Sequence, residues 1–315
     1  MPNSEAFCPS GLSSLFEICT VDSKGKALTD PAQIGARGGG FALTHGVKAR
    51  VRTRKSRSTQ IRIRINSKPA PEAYTTQWAL TSLLEKAAKT LDVQVDIRAS
   101  VPIAAGYGTS AAGTAAASLA LADASELPVT YNELGRITHM AEVVNGTGLG
   151  TAAAVFIGGF VLVSEPGAPG VGAVDRLLFP KDHSIVCAFL ESTPTRDALS
   201  HTDLITRVNP SAQRAMREIR AKPDLHTFLT ESRKFGRESG FETSDITSLI
   251  DTMISAGAIG AAQNMIGRAV HGVVENGRAT SVFRLVKRRF PKATVFITRL
   301  DERGVRLTTG RKPKH

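Results

Sequence analysis

The sequence predicts an α/β protein, organised as two domains or as one large unit, and three observations support this. The chain has 315 residues, more than one small domain usually contains. Segments with the two-residue alternation of a strand are interspersed with segments that have the apolar spacing of a helix. Residues 165–172 are rich in proline and glycine, which is typical of a linker. The expected domains are therefore residues 1–165 and residues 173–310.

The first half of the chain supplies most of these elements. Residues 41–66 predict a β-hairpin, because Val and Ile alternate with Lys and Arg on both sides of a polar turn. A helix is expected at 74–91 and a strand at 93–98. A glycine-rich loop then leads into an alanine-rich helix at 110–124. A further helix at 131–144 ends in a second glycine-rich loop at 146–150, before a buried strand at 156–163.

The second half is less regular. A strand is expected at 184–190, several helices between residues 196 and 274, and another strand at 294–298. Residues 301–304 predict a hairpin turn into a last strand at 305–308. The basic tail, residues 311–315, is expected to fray.

Composition excludes several classes of protein. Hydrophobic residues make up 42% of the chain and charged residues 22%, which argues against disordered, collagen-like and coiled-coil proteins. The 40 Lys and Arg exceed the 28 Asp and Glu by 12, which favours attraction to anionic substrates or polyanions. Three cysteines without a C-x-x-C pair (Cys8, Cys19 and Cys187) predict a reduced protein without a zinc site. With no signal pattern and no apolar run of membrane-spanning length, we expect a cytoplasmic protein and no membrane partner.

The most informative segment is PIAAGYGTSAA, residues 102–112, between a predicted strand and a predicted helix. Glycines let the backbone approach an anion, and the free amides and dipole of a helix start attract it. A tight turn that merely needs glycines is the alternative. The segment lacks the GxxxxGK of a Walker loop. Its loose match to a dinucleotide-binding GxGxxA pattern is discounted, because the glycines do not directly follow the strand and the next element is helical.

This segment resembles the ATP loop of the GHMP kinases, the galactokinase, homoserine kinase, mevalonate kinase and phosphomevalonate kinase superfamily. Residues 6–18 resemble the opening strand and loop of that superfamily, and residues 30–40, 141–150 and 263–267 are most similar to archaeal pantoate kinases. The resemblance implies an N-terminal α/β domain and a C-terminal ferredoxin-like domain, with ATP and substrate in the cleft between them. It implies that (R)-pantoate and ATP give 4-phosphopantoate, a step towards coenzyme A in archaea.

The resemblance also implies roles for individual residues. The ATP-binding set comprises Pro102, Gly106, Gly108, Thr109, Ser110 and Ala111. Ser110 and Glu142 would hold Mg²⁺ and take part in catalysis, since this ion takes few protein oxygens beside phosphates and water. Thr151 stands where many members have an acid as presumed base, so the role of base does not carry over. Arg37, flanked by Gly38, would bind the carboxylate of pantoate with its planar guanidinium.

Other residues have a simpler interpretation. His139 shares a helix face with Glu142 but is expected to be a packing histidine, as is His45, and Cys8 is expected to be a small buried residue. The basic residues of the predicted hairpin (Lys48, Arg50, Arg52, Arg54, Lys55, Arg57, Arg62 and Arg64) are interpreted as a solvated face. Nucleic-acid binding is disfavoured, because no aromatic residues alternate with these charges.

Three alternatives remain to the pantoate kinase hypothesis. They are a kinase of the same superfamily that acts on homoserine or mevalonate, a non-catalytic nucleotide-binding protein, which Thr151 would favour, and a nucleic-acid binder. The sequence is also compatible with a homodimer.

Overall fold

The structure is a computed structural model, and it describes residues 2–191, 202–265 and 267–308. Its first part contains β1 (Asn3–Cys19), β2 (Gly35–Lys55), β3 (Gln60–Ile65), β4 (Lys68–Pro69), α1 (Tyr74–Lys86), β5 (Leu91–Ala99), α2 (Thr109–Ala124), α3 (Tyr131–Val144), α4 (Thr151–Ile157), β6 (Phe160–Glu165) and β7 (Ala173–Leu177). Its second part contains β8 (His183–Glu191), α5 (Thr202–Ala221), α6 (Leu225–Glu238), α7 (Ser244–Ser255), β9 (Gly260–Asn264), β10 (Arg268–Glu275), α8 (Ala279–Arg289), β11 (Thr294–Thr298) and β12 (Arg306–Leu307).

The first sheet is built around two long antiparallel strands. β1 and β2 pair from Asn3 opposite Arg52 to Cys19 opposite Gly35. The strand order is β12-β1-β2-β5-β3-β4, and β6 pairs with β2 and with β7. The helix α2 packs against this sheet and is almost fully buried. Its many alanines make this possible, because small side chains let a helix approach its neighbours closely.

The second sheet has the order β11-β8-β10-β9, and all of its pairs are antiparallel. Among the described residues, strands and helices follow each other as β8, the helices α5 to α7, β9, β10, α8 and β11, which is the β-α-β-β-α-β pattern of a ferredoxin-like unit. The predicted mixed α/β architecture with a C-terminal ferredoxin-like unit is therefore confirmed.

The two sheets share one apolar core. The rings of Phe41 and Phe160 stack at 4.7 Å, and Phe228 of α6 meets both rings edge-on. Residues of β1, β2, β8, α5 and α6 belong to the same buried cluster. This core holds the ferredoxin-like part against the middle of β1 and β2.

The predicted hairpin at 41–66 is wrong in its pairing, although both strands exist. β5 lies between β2 and β3, antiparallel to the first and parallel to the second. Alternation predicts a strand and its buried face, but it contains no information about which strand lies beside it. The turn at 301–304 is also not a hairpin, because β12 pairs with β1.

Three further expectations need correction. The first helix ends at Lys86 rather than at 91, because Ala88 has φ +48° and Lys89 N donates to Leu84 O, which closes the helix. The predicted strand at 156–163 begins only at Phe160, after the short helix α4. The predicted helices up to residue 274 give way at residue 260 to the antiparallel strands β9 and β10.

The predicted linker, residues 165–172, connects β6 to β7, two paired strands of the first sheet. The chain passes to the second sheet only between β7 and β8, and β12 returns to the first. The division into residues 1–165 and 173–310 stays a prediction. Residues 196–201, Ile266, residues 309–310 and the basic tail 311–315 lie outside the described residues.

Candidate active site

A cavity of about 320 Å³ lies where β1, β2, the loop before α2 and the end of α3 meet. Most of the predicted site residues line it, namely Arg37, Gly38, Gly106, Gly108, Thr109, Ser110, Glu142 and Thr151. Pro102 precedes the lining part of the loop, and Ala111 is buried in the first turn of α2, so neither borders the cavity. The fold thus brings together segments more than 100 residues apart in the chain.

The loop before α2 has the geometry of an anion cradle. Gly106 and Gly108 have φ values of +77° and +58°, which glycine adopts without strain. Gly108 is the N-cap of α2, and no side chain caps that helix. The first amides of α2 therefore keep free donors beside the cavity, as in helix N-termini that bind phosphate.

Gly108 is also held by close contacts. A Cβ atom there would lie 2.5 Å from Thr151 Cγ2 and 2.7 Å from Gly11 O. Gly11 N donates to Tyr107 O at 3.1 Å, which ties β1 to the loop. Thr151 is the first residue of α4, and its methyl group packs against Gly11 and Gly108.

Glu142 carries a buried carboxylate into this cavity. Its exposed fraction is 2%, and its Oε2 has no hydrogen-bond partner. Burial raises the pKa of Glu142 to about 8, although the neighbouring side chain of Ser110 lowers it in part. Gly148 lies against the carboxylate, since a Cβ atom at this position would be 2.7 Å from Oε2. Ser110 Oγ donates to Thr147 Oγ1 at 3.2 Å, so a short hydroxyl network adjoins Glu142.

This donor set fits Mg²⁺. An unsatisfied carboxylate oxygen beside hydroxyl groups suits an ion that takes most of its ligands from phosphates and water. Within residues 2–191, 202–265 and 267–308 there is no cluster of three or more His, Cys, Asp or Glu that could hold a metal on its own.

Arg37 has a protein partner that the sequence did not reveal. Its Nη2 donates to Glu17 Oε1 at 2.9 Å, and its Nε lies 2.9 Å from Glu17 Oε2. Gln213 of α5 donates to the same Oε1 at 2.8 Å. Glu17 and Arg37 are opposite each other in the β1–β2 ladder, so only the register could have paired them. The guanidinium is therefore fixed along one edge, and Arg37 is one of the residues that line the cavity.

Several lining residues were not predicted. Leu12 and Ser13 of β1, Tyr107 and Met265 all border the cavity. Apolar side chains form much of the wall, among them Leu15, Phe16, Leu149, Val161 and Val163. Gly11 and its neighbours belong to the segment 6–18 that resembles the superfamily's opening loop, and that resemblance was the available signal.

The residues given a packing interpretation do not line the cavity. His139 Nε2 lies 2.8 Å from Ile34 O, and burial lowers the pKa of His139. His45 Nδ1 lies 2.9 Å from Thr298 Oγ1, and Cys8 is buried.

The basic face is partly neutralised by acids on neighbouring strands. Arg50 pairs with Glu5, Arg52 with Asp96, and both Arg54 and Arg62 with Asp92. These exposed ion pairs reduce the charge available to a polyanion. The structure's described helices include none long and apolar enough to cross a membrane.

The chain is similar to several known proteins. Residues 74–164 match the family model of the GHMP kinases N terminal domain. Pantoate kinases from three archaea are similar over most of the chain. That of Thermococcus kodakarensis is 26% identical over 264 residues, which cover 82% of this chain and 85% of the relative.

Two solved structures are similar in fold. A phosphotransferase related to the coenzyme A biosynthesis pathway superposes with a TM-score of 0.86 at 21% identity, covering 99% of this chain and all of the other. A homoserine kinase from Cytophaga hutchinsonii superposes with a TM-score of 0.70 at 16% identity, covering 98% of both chains. At these identities the likeness establishes the fold.

Proposed function

We propose that this chain, whose residues 74–164 belong to the GHMP kinase N-terminal domain family, is an ATP-dependent kinase that phosphorylates pantoate. The observation that carries the proposal is one cavity lined by the uncapped start of α2, by Glu142, whose Oε2 has no hydrogen-bond partner, and by Arg37. A phosphate cradle, a metal-binding acid and a cation for an acidic acceptor are the parts that such a kinase needs.

ATP binding is assigned to the loop that ends at Gly108. The amides of Thr109, Ser110 and Ala111 belong to the first turn of α2, where N–H groups have no partner within the helix. The left-handed conformations of Gly106 and Gly108 let the backbone lie close to a phosphate, with no side chain between them.

Mg²⁺ is assigned to Glu142 and Ser110. A bound Mg²⁺ would neutralise charge on the phosphates of ATP during transfer. Glu142 would supply the negative charge, and Ser110 a neutral oxygen from the first turn of α2. Ionising a carboxylate that burial keeps at a pKa of about 8 becomes favourable beside a cation.

Pantoate binding is assigned to Arg37, Gly38 and the apolar wall. Arg37 is held by Glu17, so its position is set before a ligand arrives. Leu149, Val161 and Val163 suit the two methyl groups that pantoate carries on its third carbon. An acceptor with a charged amino group, such as homoserine, lacks that complementarity.

In the transfer, the 4-hydroxyl oxygen of pantoate forms a bond to the γ-phosphorus, the bond to the ADP oxygen breaks, and the hydroxyl proton is released. The product is 4-phosphopantoate, and its formation is a step towards coenzyme A. Thr151 cannot accept this proton at neutral pH. Phosphoryl transfer depends mainly on alignment and charge neutralisation, so the arrangement can work without a dedicated carboxylate base. Cytoplasmic location and a homodimer stay predictions.

The test is a coupled assay of ADP release with pantoate, homoserine, mevalonate and simple alcohols as acceptors. We expect the highest kcat/KM with pantoate and a requirement for Mg²⁺. Phosphorus NMR of the product distinguishes transfer to the alcohol from hydrolysis of ATP. Binding of ATP without transfer to any acceptor would contradict the proposal and support a non-catalytic nucleotide-binding protein.

A further inference from the structure

Three buried polar side chains form hydrogen bonds that connect the two sheets. Ser14 Oγ of β1 lies 3.0 Å from His271 Nε2 of β10, and His271 Nδ1 lies 2.8 Å from Asn264 Oδ1 at the end of β9. All three residues have an exposed fraction of 0%.

The geometry fixes the proton positions in this chain of hydrogen bonds. An amide oxygen only accepts, so His271 Nδ1 carries the proton and donates it to Asn264. His271 Nε2 then accepts from the Ser14 hydroxyl. Burial lowers the pKa of His271 to about 3, so the imidazole is neutral at physiological pH.

The three polar side chains lie in an apolar core, where burial of a polar group lowers the stability of the fold unless the group is hydrogen-bonded. On β10, His271 lies between Ala269 and Val273, which share its sheet face and belong to the core common to both sheets. The ring of Phe41 contacts His271 edge-on at 5.5 Å. Ser14 sits at a bulge, where the β1–β2 register shifts between Ser13 and Leu15. A buried polar group that loses its hydrogen-bond partner destabilises the folded protein, so each of the three side chains restricts the position of the next.

Asn264, at one end of this hydrogen-bond network, contacts the loop that borders the cavity. A Cβ atom on Gly106 would lie 3.1 Å from Asn264 Cβ, and one on Gly267 would lie 2.7 Å from Ala105 O. The other end adjoins the cavity wall, because Ser13 O accepts from Met265 N at 2.9 Å and both residues line it. Asn264 and Gly267, on either side of the junction of β9 and β10, thus pack against residues 105–106, and Met265 is anchored to β1.

We propose that His271 is a positioning residue, whose hydrogen bonds to Ser14 and Asn264 hold Asn264 and Gly267 against residues 105–106 and so set the loop that ends at Gly108 (the phosphate loop) in its ATP-binding conformation. This inference rests on the proposed role of that loop in binding ATP. His271 contacts no substrate and acts through Asn264. Its loss should therefore weaken ATP binding and leave pantoate binding largely unchanged.

The experiment compares two variants of the full chain at His271, the middle of the network, with a control variant on the same strand. His271→Phe keeps a ring but removes both hydrogen bonds, and His271→Gln retains one donor and one acceptor. Val274→Ala is the matched control, because Val274 is equally buried on the same strand but belongs to the core on the other sheet face. Michaelis constants for ATP and for pantoate are measured for each variant, together with the melting temperature.

We expect His271→Phe, which removes two buried hydrogen bonds, to raise the KM for ATP on the order of tenfold, with the KM for pantoate within about twofold. His271→Gln should recover most of the loss. Val274→Ala should lower the melting temperature and leave both constants unchanged. If His271→Phe does not fold, Ser14→Ala removes a single hydroxyl and should raise the KM for ATP about threefold.

Equal rises in both Michaelis constants, or a Gln variant no better than Phe, would overturn the positioning role. The proposed function fails in a different way. If the wild type binds ATP by calorimetry but phosphorylates no acceptor, the kinase proposal is wrong, and the Kd for ATP of the same variants still tests His271. If the wild type does not bind ATP, both proposals are wrong.

Discussion

Replacing Gly108 by alanine is the most direct test of the phosphate loop. The residue has φ +58° and is the N-cap of α2, so alanine would be strained there whatever the space around it. Its new Cβ atom would also meet Thr151 Cγ2 at 2.5 Å and Gly11 O at 2.7 Å. Because Gly11 O is backbone, the loop rather than the neighbour must move.

The size of the effect follows from these distances. Ordinary contacts of a Cβ atom begin at 3.4 Å, so the start of α2 must shift by somewhat less than ~1 Å. A misplacement of ~1 Å in a catalytic arrangement can cost ~10²-fold, or ~2.7 kcal/mol of transition-state stabilisation. The left-handed backbone adds ~1–2 kcal/mol to the loss of folding stability.

The assay is kcat/KM for ATP at saturating pantoate, with the melting temperature measured in parallel. Gly240→Ala is the matched control, because Gly240 has φ +69° and nothing within 4 Å of its would-be Cβ atom. It should lose stability and keep its activity. Adding Thr151→Ser to Gly108→Ala removes the methyl group at 2.5 Å and should restore part of the activity, while the contact with Gly11 O persists.

A folded Gly108→Ala protein with wild-type kcat/KM for ATP would refute the assignment of this loop to the phosphates. Activity lost equally in Gly240→Ala would refute the reasoning in another way, because the loss would then reflect general backbone strain.

Four further outcomes follow from the site. Glu142→Gln should lower kcat by ~10²-fold or more with a smaller change in ATP affinity, as expected for a group needed mainly in transfer; wild-type kcat at limiting Mg²⁺ would exclude Glu142 from the metal site. Arg37→Ala should raise the KM for pantoate by an amount that corresponds to ~2–5 kcal/mol and spare that for ATP, whereas equal losses would indicate a structural role through Glu17. Thr151→Val keeps the methyl group against Gly108 and should change kcat less than ~3-fold; a ~10²-fold loss would show that the hydroxyl takes part in transfer. Burial lowers the pKa of His271 from 6.5 to about 3, so below pH 6.5 the unfolded chain takes up a proton that the folded protein excludes. The free energy of unfolding should therefore fall by up to ~1.4 kcal/mol per pH unit as the pH is lowered towards 3. Equilibrium unfolding of His271→Gln should lack that contribution.

The sequence could predict the features that depend on near neighbours. The helix at 131–144 has its predicted bounds, because Thr130 and Glu133 form a capping box at its start and the apolar spacing is regular. The glycine-rich loop that ends at Gly108 was predicted in its place before α2, since glycines and small hydroxyl residues mark such a turn. Glu142 was assigned through the resemblance, and the structure places it in the same cavity as Ser110.

Features that depend on register between distant segments could not be predicted. The partnership of Arg37 with Glu17 requires β1 and β2 to pair with a bulge between Ser13 and Leu15. The insertion of β5 between β2 and β3 is likewise a choice among strands with similar alternation. The network of Ser14, His271 and Asn264 joins residues up to 257 positions apart, and no local pattern marks it.

The charges at the cavity constrain how the proposed transfer can proceed. Arg37 and Glu142 are the two charged side chains among the described residues that line it. A carboxylate that holds Mg²⁺ has its electrons committed to the cation and is a poor base, and Thr151 does not replace it. A missing base costs ~10² to 10⁴-fold, whereas holding the reactants in line supplies more than that. The tight contacts at Gly108 and Gly148 and the proposed anchor at His271 therefore matter more to the proposed transfer than a proton acceptor does, because they hold the loop and the carboxylate to which we assign the phosphates and Mg²⁺.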